Sequence, residues 1–185
     1  MSDKTAPARP APRLYLATQM VTDPAPLAAS LPAILGSADV AAVLVRLKET
    51  DPRSMITTVK ALAPAIQGTG AALLIDGHPD IVARAGELGA DYVLFGERDA
   101  HGRRPSLDAI NERLAWWAEL FEPPCVGYAI SLKEAADFVA AGADFVLVDD
   151  LVWNDARGPA AALAEIGATI RAAHAAAPVA PAGQG

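Results

Sequence analysis

One short pattern recurs along the chain and limits its fold more than any other feature. A small residue, alanine and aspartate precede an apolar run three times, and the aspartates are Asp39, Asp91 and Asp144. The intervals between them are 52 and 53 residues, and a period of this length holds two strand–helix units. Four such periods would make an eight-stranded barrel, but a fourth aspartate would fall beyond the last residue. We therefore expect a barrel-like repeat of six units.

Short β-type runs alternate with longer helical stretches rich in alanine and leucine, which is typical of a parallel sheet covered by helices. Most of the runs are continuously apolar, as expected for strands buried on both faces. The predicted strands are 14–18, 42–47, 71–76, 92–96, 125–130 and 145–150. The predicted helices are 26–36, 52–66, 79–88, 106–120, 131–141 and 158–176. This pattern predicts an α/β fold, a TIM-barrel-like parallel (βα) repeat that is incomplete.

Composition and charge exclude several classes of protein. A hydrophobic content of 52% indicates a folded domain with a real core, which we place at 13–176 between flexible tails at 1–12 and 177–185. The net charge of −7 argues against binding to nucleic acid or to an anionic membrane. Cys125 is the single cysteine and is predicted to be a small buried hydrophobic residue. With no apolar stretch that could span a membrane, a soluble, cytoplasmic protein is expected.

Basic residues follow two of the predicted strands, at the end of the sheet where parallel folds place their binding sites. Arg46 and Lys48 come after the second strand and are candidates to bind a phosphate or diphosphate. His78 follows the third strand and is the best placed of the three histidines for phosphate contact or acid–base chemistry. The plainer interpretation is that loop ends are solvated and therefore charged in any such fold.

Acidic residues follow the same strand ends and suggest a metal site. Asp76, Asp99 or Asp149 is a candidate ligand for Mg²⁺, which prefers hard oxygen donors. Asp149 and Asp150 are adjacent, so we expect only one of them to point inward, and a turn or helix cap is the alternative role for either. The three aspartates of the repeat precede strands at the opposite end of the sheet and are interpreted as turn-stabilising residues.

Four segments resemble a known family. They are RLYLAT, VLVRLKETD, LLIDGHPDIVARAGELGADYVLFGERD and VGYAISLKEAADFVAAGADFVLV. Their order and spacing are similar to those of the thiamine-phosphate synthase/TenI family over residues 13 to 175. The resemblance implies a TIM barrel that binds small phosphorylated pyrimidine and thiazole ligands. Synthases of the family condense hydroxymethylpyrimidine diphosphate with thiazole phosphate and release diphosphate, with Mg²⁺ as the cofactor.

The resemblance assigns roles to several of the strand-end residues. Arg46 and Lys48 match the basic residues of the family's QLREK segment, and Asp99 matches the metal-binding Asp that ends its GQED segment. Gly77 stands where the family has its other metal-binding Asp, so Asp76 next to it is a candidate replacement. No catalytic residue is assigned. The candidates are Arg46, Lys48, Asp76 and His78 for the diphosphate, and Asp76 and Asp99 for Mg²⁺.

The chain also departs from the family pattern. Leu44 and Glu97 stand where the family has Gln, and Ala129 stands where it has Ser. DDLVWNDARG replaces a diphosphate loop that contains Thr and Lys, and the phosphate site of strands seven and eight is absent.

Three hypotheses about function follow. They are an active synthase, a non-catalytic member that binds a ligand or partner protein, and a different reaction on the same scaffold. A homodimer is a further hypothesis, because a second subunit could cover the edges that six units leave open.

Overall fold

The computed structural model describes residues 10–48, 52–75, 93–98, 101–120 and 124–177. The strands are β1 (Arg13–Ala17), β2 (Val40–Val45), β3 (Ala72–Ile75), β4 (Val93–Phe95), β5 (Cys125–Tyr128) and β6 (Phe145–Val148). The helices are α1 (Pro24–Leu35), α2 (Pro52–Gln67), α3 (Leu107–Leu120), α4 (Leu132–Ala140), α5 (Asp150–Trp153) and α6 (Pro159–Ala176). The described strands and long helices match the predicted ones within a few residues at their ends. The short helix α5 was not predicted, because Asp150 was assigned to the end of the sixth strand. The predicted helix at 79–88 lies outside the described residues.

All the strand pairs of the sheet are parallel, and their order is β3-β2-β1-β6-β5-β4. The first and the last strand are direct neighbours, with Arg13 opposite Phe145 and Leu16 opposite Val148. The two ends of the sheet order are β3 and β4. Within the described residues, the fold is therefore the TIM-barrel-like parallel repeat that the sequence predicts, as an open sheet of six strands in which β6 lies beside β1.

Short local signals fix where the helices begin. Asp23 caps α1 through Oδ1, which accepts a hydrogen bond from the Ala25 amide at 3.0 Å, and Pro24 supplies a first residue that needs no amide partner. Ser131 caps α4 in the same way by accepting a hydrogen bond from the Glu134 amide at 3.2 Å.

None of the described helices is long and apolar enough to cross a membrane.

The core lies mainly between the sheet and its helices. Leu16, Val43 and Val148 of the strands pack there against buried helix residues such as Phe138 and Leu163. A smaller cluster on the other face of the sheet contains three fully buried residues and a rim of half-buried ones. The buried three are Ala17, Val126 and Leu147, and the half-buried rim includes Tyr15, Leu44, Tyr128 and Phe145. The helices therefore cover one face of the sheet, and the other face has a smaller apolar cluster whose rim stays partly exposed.

The repeat aspartates stabilise the end of the sheet where the strands begin. Asp39 accepts hydrogen bonds from Arg13 Nε at 3.0 Å and Arg13 Nη2 at 2.8 Å, and this partner raises the pKa of the guanidinium. Asp144 Oδ2 accepts from the Cys125 amide at 2.8 Å. Both residues are structural, as predicted, but each contacts the start of a neighbouring strand, whereas turn stabilisation was expected. The predicted burial of Cys125 is confirmed. Asp91 lies outside the described residues.

Candidate active site at the carboxyl end of the sheet

A cluster of three polar side chains joins three strands at the end of the sheet where the strands finish. Asp149 follows β6, and its Oδ2 accepts a hydrogen bond from Arg46 Nη1 at 2.9 Å and one from the Tyr128 hydroxyl at 2.7 Å. Arg46 follows β2, and Tyr128 ends β5. The cluster exists because β6 lies beside β1, which brings the ends of β2 and β6 within reach of one side chain.

Burial determines the electrostatics of this cluster. Asp149 is 5% exposed and pairs with the half-buried Arg46. Burying an unpaired carboxylate would cost free energy, and the opposite charge of Arg46 offsets part of that cost. Burial, together with the hydrogen bond to Asp149, raises the pKa of Tyr128 to about 12. The phenol therefore stays protonated and donates its hydrogen to the carboxylate at neutral pH.

Asp149 and Asp150 have different environments, as expected from their adjacency. Asp149 is buried and caps the short helix α5, with its Oδ1 accepting from the Asp150 amide. Asp150 is exposed. The prediction that only one of the two points inward is confirmed, and so is the predicted capping role. A direct contact between Asp149 and Arg46 was not predicted.

Arg104 forms a second polar junction at the same end of the sheet. It donates to both carboxylate oxygens of Glu134 at 2.8 Å, and to the carbonyl oxygens of Gly96 and Tyr128. The side chains of Arg104 and Glu134 are about 10% exposed. The junction ties the loop after β4 to the end of β5 and the start of α4. The sequence analysis did not predict the pairing of Arg104 with Glu134. The signal in the sequence was Glu134 itself, which lies three residues after the Ser131 cap, as in a capping box.

Lys48, two residues after Arg46 in the chain, lines a cleft of about 330 Å³. The cleft is also lined by the hydroxyl residues Thr22, Ser54 and Thr58. The Lys48 amide donates to the Val21 carbonyl at 3.4 Å, and the Lys48 side chain is exposed. A cleft lined by a lysine and hydroxyl residues is suited to an anionic oxygen ligand.

A second cleft of about 310 Å³ adjoins the first, because Val21 and Thr22 line both. The loop from β1 to α1 forms one side of this cleft, and Trp153 of α5 contributes to the lining. The Trp153 indole is oriented by a hydrogen bond from Nε1 to the Ala17 carbonyl at 2.7 Å. Met20, another lining residue, is 59% exposed. Sequence analysis assigned no role to either side chain.

The other predicted site residues lie outside the described part of the chain. These are Asp76, His78 and Asp99, so their predicted roles remain predictions. Within the described ranges, no group of three or more His, Cys, Asp or Glu side chains is arranged to hold a metal ion. Of the predicted diphosphate-binding residues, Arg46 pairs with the buried Asp149, whereas Lys48 lines a cleft whose lining does not include Arg46.

A parallel repeat of six strands, with its basic and acidic side chains gathered where the strands end, defines a protein of the (βα)-barrel class. No protein-family model matches the chain. It is 34% identical to a thiamine-phosphate synthase from Rhodospirillum centenum over 86% of this chain and 98% of that protein. It is 31% identical to one from Hyphomonas neptunium, over 86% and 94%. The chain belongs to the thiamine-phosphate synthase family.

Solved structures agree with this fold. The chain superposes on thiamine phosphate pyrophosphorylase from Pyrococcus furiosus with a TM-score of 0.68 and 18% identity, over 87% of this chain and 96% of that one. It superposes on (S)-3-O-geranylgeranylglyceryl phosphate synthase from Thermoplasma acidophilum with a TM-score of 0.61 and 12% identity, over 88% and 94%. The alignment with the Rhodospirillum centenum protein spans 202 positions, whereas this chain has 185 residues. That relative therefore has residues inside the aligned region that this chain lacks.

Proposed function

We propose that this protein is a thiamine-phosphate synthase of thiamine biosynthesis. It would condense hydroxymethylpyrimidine diphosphate with thiazole phosphate and release diphosphate. The observation that carries the proposal is the 34% identity to a protein of that name over nearly its whole length. The position of Lys48 supports it, because a cleft lined by an exposed lysine and three hydroxyl residues suits a diphosphate.

Each site residue has a role in this proposal. Lys48 binds the diphosphate and stabilises the negative charge that develops as it leaves. Arg46 supplies positive charge at the mouth of the sheet. Its guanidinium is held by Asp149, which also accepts a hydrogen bond from the Tyr128 hydroxyl. Asp76 directly follows β3 and Asp99 lies shortly after β4, and their carboxylates would hold Mg²⁺, with His78 contacting the diphosphate. Bound Mg²⁺ would neutralise charge on the leaving diphosphate.

The test is a synthase assay on the full chain, with both phosphorylated substrates and Mg²⁺. Lys48→Ala should lower kcat/KM by about 10- to 100-fold, because it removes a charged hydrogen bond to the diphosphate. Lys60→Ala is the matched control, since Lys60 is an exposed lysine of α2 away from the clefts, and it should leave kcat/KM unchanged. Absence of thiamine phosphate with the unmodified protein would contradict the proposal.

One observation favours a second candidate function, that of a non-catalytic family member that binds a ligand. The charge of Arg46 is already compensated by Asp149, which weakens its attraction for a phosphate. Calorimetric titration with hydroxymethylpyrimidine diphosphate distinguishes the two, because binding without product formation identifies a binding protein.

We further propose a cytoplasmic location, and a homodimer that covers the ends of the sheet at β3 and β4.

A further inference from the structure

We propose that one face of α3, here called the Trp116 face, docks against the same face of a second copy of this chain. Its members lie three or four residues before or after Trp116, so they share one side of the helix. They are Glu112, Arg113, Trp116, Glu119 and Leu120, and all five are exposed. The inference rests on the homodimer of the proposed function and assigns its contact to particular side chains.

Two large apolar side chains form the centre of the Trp116 face. Trp116 keeps 54% of its surface exposed and Leu120 keeps 61%. Single exposed apolar side chains are common on protein surfaces, but these two lie one turn apart on the same helix and form a patch. Covering the patch would remove apolar surface from water, and tryptophan is enriched at the centres of protein interfaces.

The Trp116 face lies beside β4, which is one end of the sheet order. The Trp117 ring packs against Phe95 of β4 with their centroids 6.0 Å apart, and the Trp116 ring packs against Trp117 at 6.4 Å. The contact with Trp117 restricts the Trp116 ring, so less side-chain entropy is lost when the ring is covered. A contact here is continuous with the homodimer contact proposed at the β4 end of the sheet.

The charges around the apolar centre favour a second copy as the occupant. Glu112, Arg113 and Glu119 have no ion-pair partner among the described residues. A two-fold contact places one patch against its own copy, so the patch must attract itself. When two α3 helices lie parallel about a two-fold axis, Arg113 of one copy lies next to Glu112 of the other. Such ion pairs fix the register of a docked pair.

The length of α3 indicates that the contact includes more than this helix. The helix has 14 residues and is therefore about 21 Å long and about 10 Å wide. A stable interface buries about 800 Å² on each partner, which is more than one strip of that size supplies. The neighbouring end of the sheet at β4 provides further surface for the same contact.

Sedimentation velocity over a range of concentrations measures the dissociation constant of the dimer formed by the full chain. Trp116→Glu should raise this constant by about 10- to 100-fold, because it places a charge at the apolar centre, and Leu120→Glu should act in the same direction. Ile130→Glu is the matched control, since Ile130 is a 46% exposed apolar residue that follows β5, and it should leave the constant unchanged. Circular dichroism establishes that each variant is folded.

A charge swap tests the pairing of the two copies. Arg113→Glu should raise the dissociation constant by about tenfold, because it places like charges together at Glu112 of the other copy. The double variant Arg113→Glu, Glu112→Arg restores the opposite charges and should recover most of the affinity. A double variant as weak as Arg113→Glu would contradict the pairing.

Two further results would overturn the inference. The first is a monomer at every concentration, which removes the homodimer and leaves the Trp116 face to a different protein. The second is a dimer whose dissociation constant is unchanged by both Trp116→Glu and Leu120→Glu, which keeps the homodimer and places its contact elsewhere. The synthase assay is a separate readout, because absence of thiamine phosphate refutes the synthase and leaves the docking of the two copies intact.

Discussion

At the scale of single residues, the Asp149 carboxylate organises the mouth of the sheet. It is the common acceptor for Arg46 and Tyr128, and it also caps α5. A buried carboxylate with two donors of this kind fixes the positions of both partner side chains. The sequence contains no local sign of this arrangement, because Arg46 and Asp149 are 103 residues apart.

We expect Asp149→Asn to lower the free energy of unfolding by about 1–3 kcal/mol, because it removes the charge that compensates the half-buried Arg46. Asparagine is as good a helix cap as aspartate, so the change isolates the charge from the capping role. Asp150→Asn alters an exposed neighbour and should change stability by less than about 0.5 kcal/mol. Urea unfolding of both variants measures the difference, and equal effects would contradict the assigned role of Asp149.

Tyr128 should ionise only at high pH, because its pKa is raised to about 12. The folded protein keeps the phenol proton at a pH where the unfolded chain has lost it. The contribution of Tyr128 to stability is therefore complete below pH 10 and is lost as the pH rises toward 12. Ultraviolet absorbance of tyrosinate, compared between the unmodified protein and Tyr128→Phe, measures this titration. A phenol that ionises near pH 10 would contradict it.

At the scale of helices and strands, the Arg104 junction holds the loop after β4 against β5 and α4. Arg104→Ala leaves Glu134 without its partner in a site that is about 10% exposed, and should cost about 3–5 kcal/mol. The double variant Arg104→Ala, Glu134→Ala should recover part of this loss, because it leaves no buried charge. Arg103→Ala changes the exposed neighbour and should have little effect. Urea unfolding tests all three variants.

The strands and long helices could be predicted because their apolar patterns are local. Val146–Val148 are apolar and buried, and proline at the start of α1, α2 and α6 marks a helix start. The helix α5 was missed, since four residues carry no periodic signal and Asp149 and Asp150 were assigned to the strand before it. The position of Arg46 and Lys48 at the end of β2 could likewise be predicted from the sequence, whereas their role stays a prediction. The contacts of Arg46, Arg104 and Trp153 depend on which strands are neighbours, which local patterns do not determine.

At the scale of the whole molecule, we expect two copies of the chain to associate along the ends of the sheet. Strands at the end of an open sheet have unpaired backbone groups on one side, and a second subunit can cover them. Multi-angle light scattering should therefore give twice the chain mass of 19.1 kDa. A mass equal to one chain would remove the dimer from the proposal.

The neighbouring positions of β1 and β6 also determine the order in which the sheet can be completed. Strands β1 to β3 lie within residues 13–75 and β4 to β6 within 93–148, so each half of the sheet pairs strands that are consecutive in the chain. The two halves meet where β1 pairs with β6, with Arg13 opposite Phe145. The residues paired there are among the furthest apart in the sequence of any that pair in the sheet. Contacts of such separation form slowly. During synthesis, the edge of β1 therefore stays without its β6 partner until the ribosome has released the last strand.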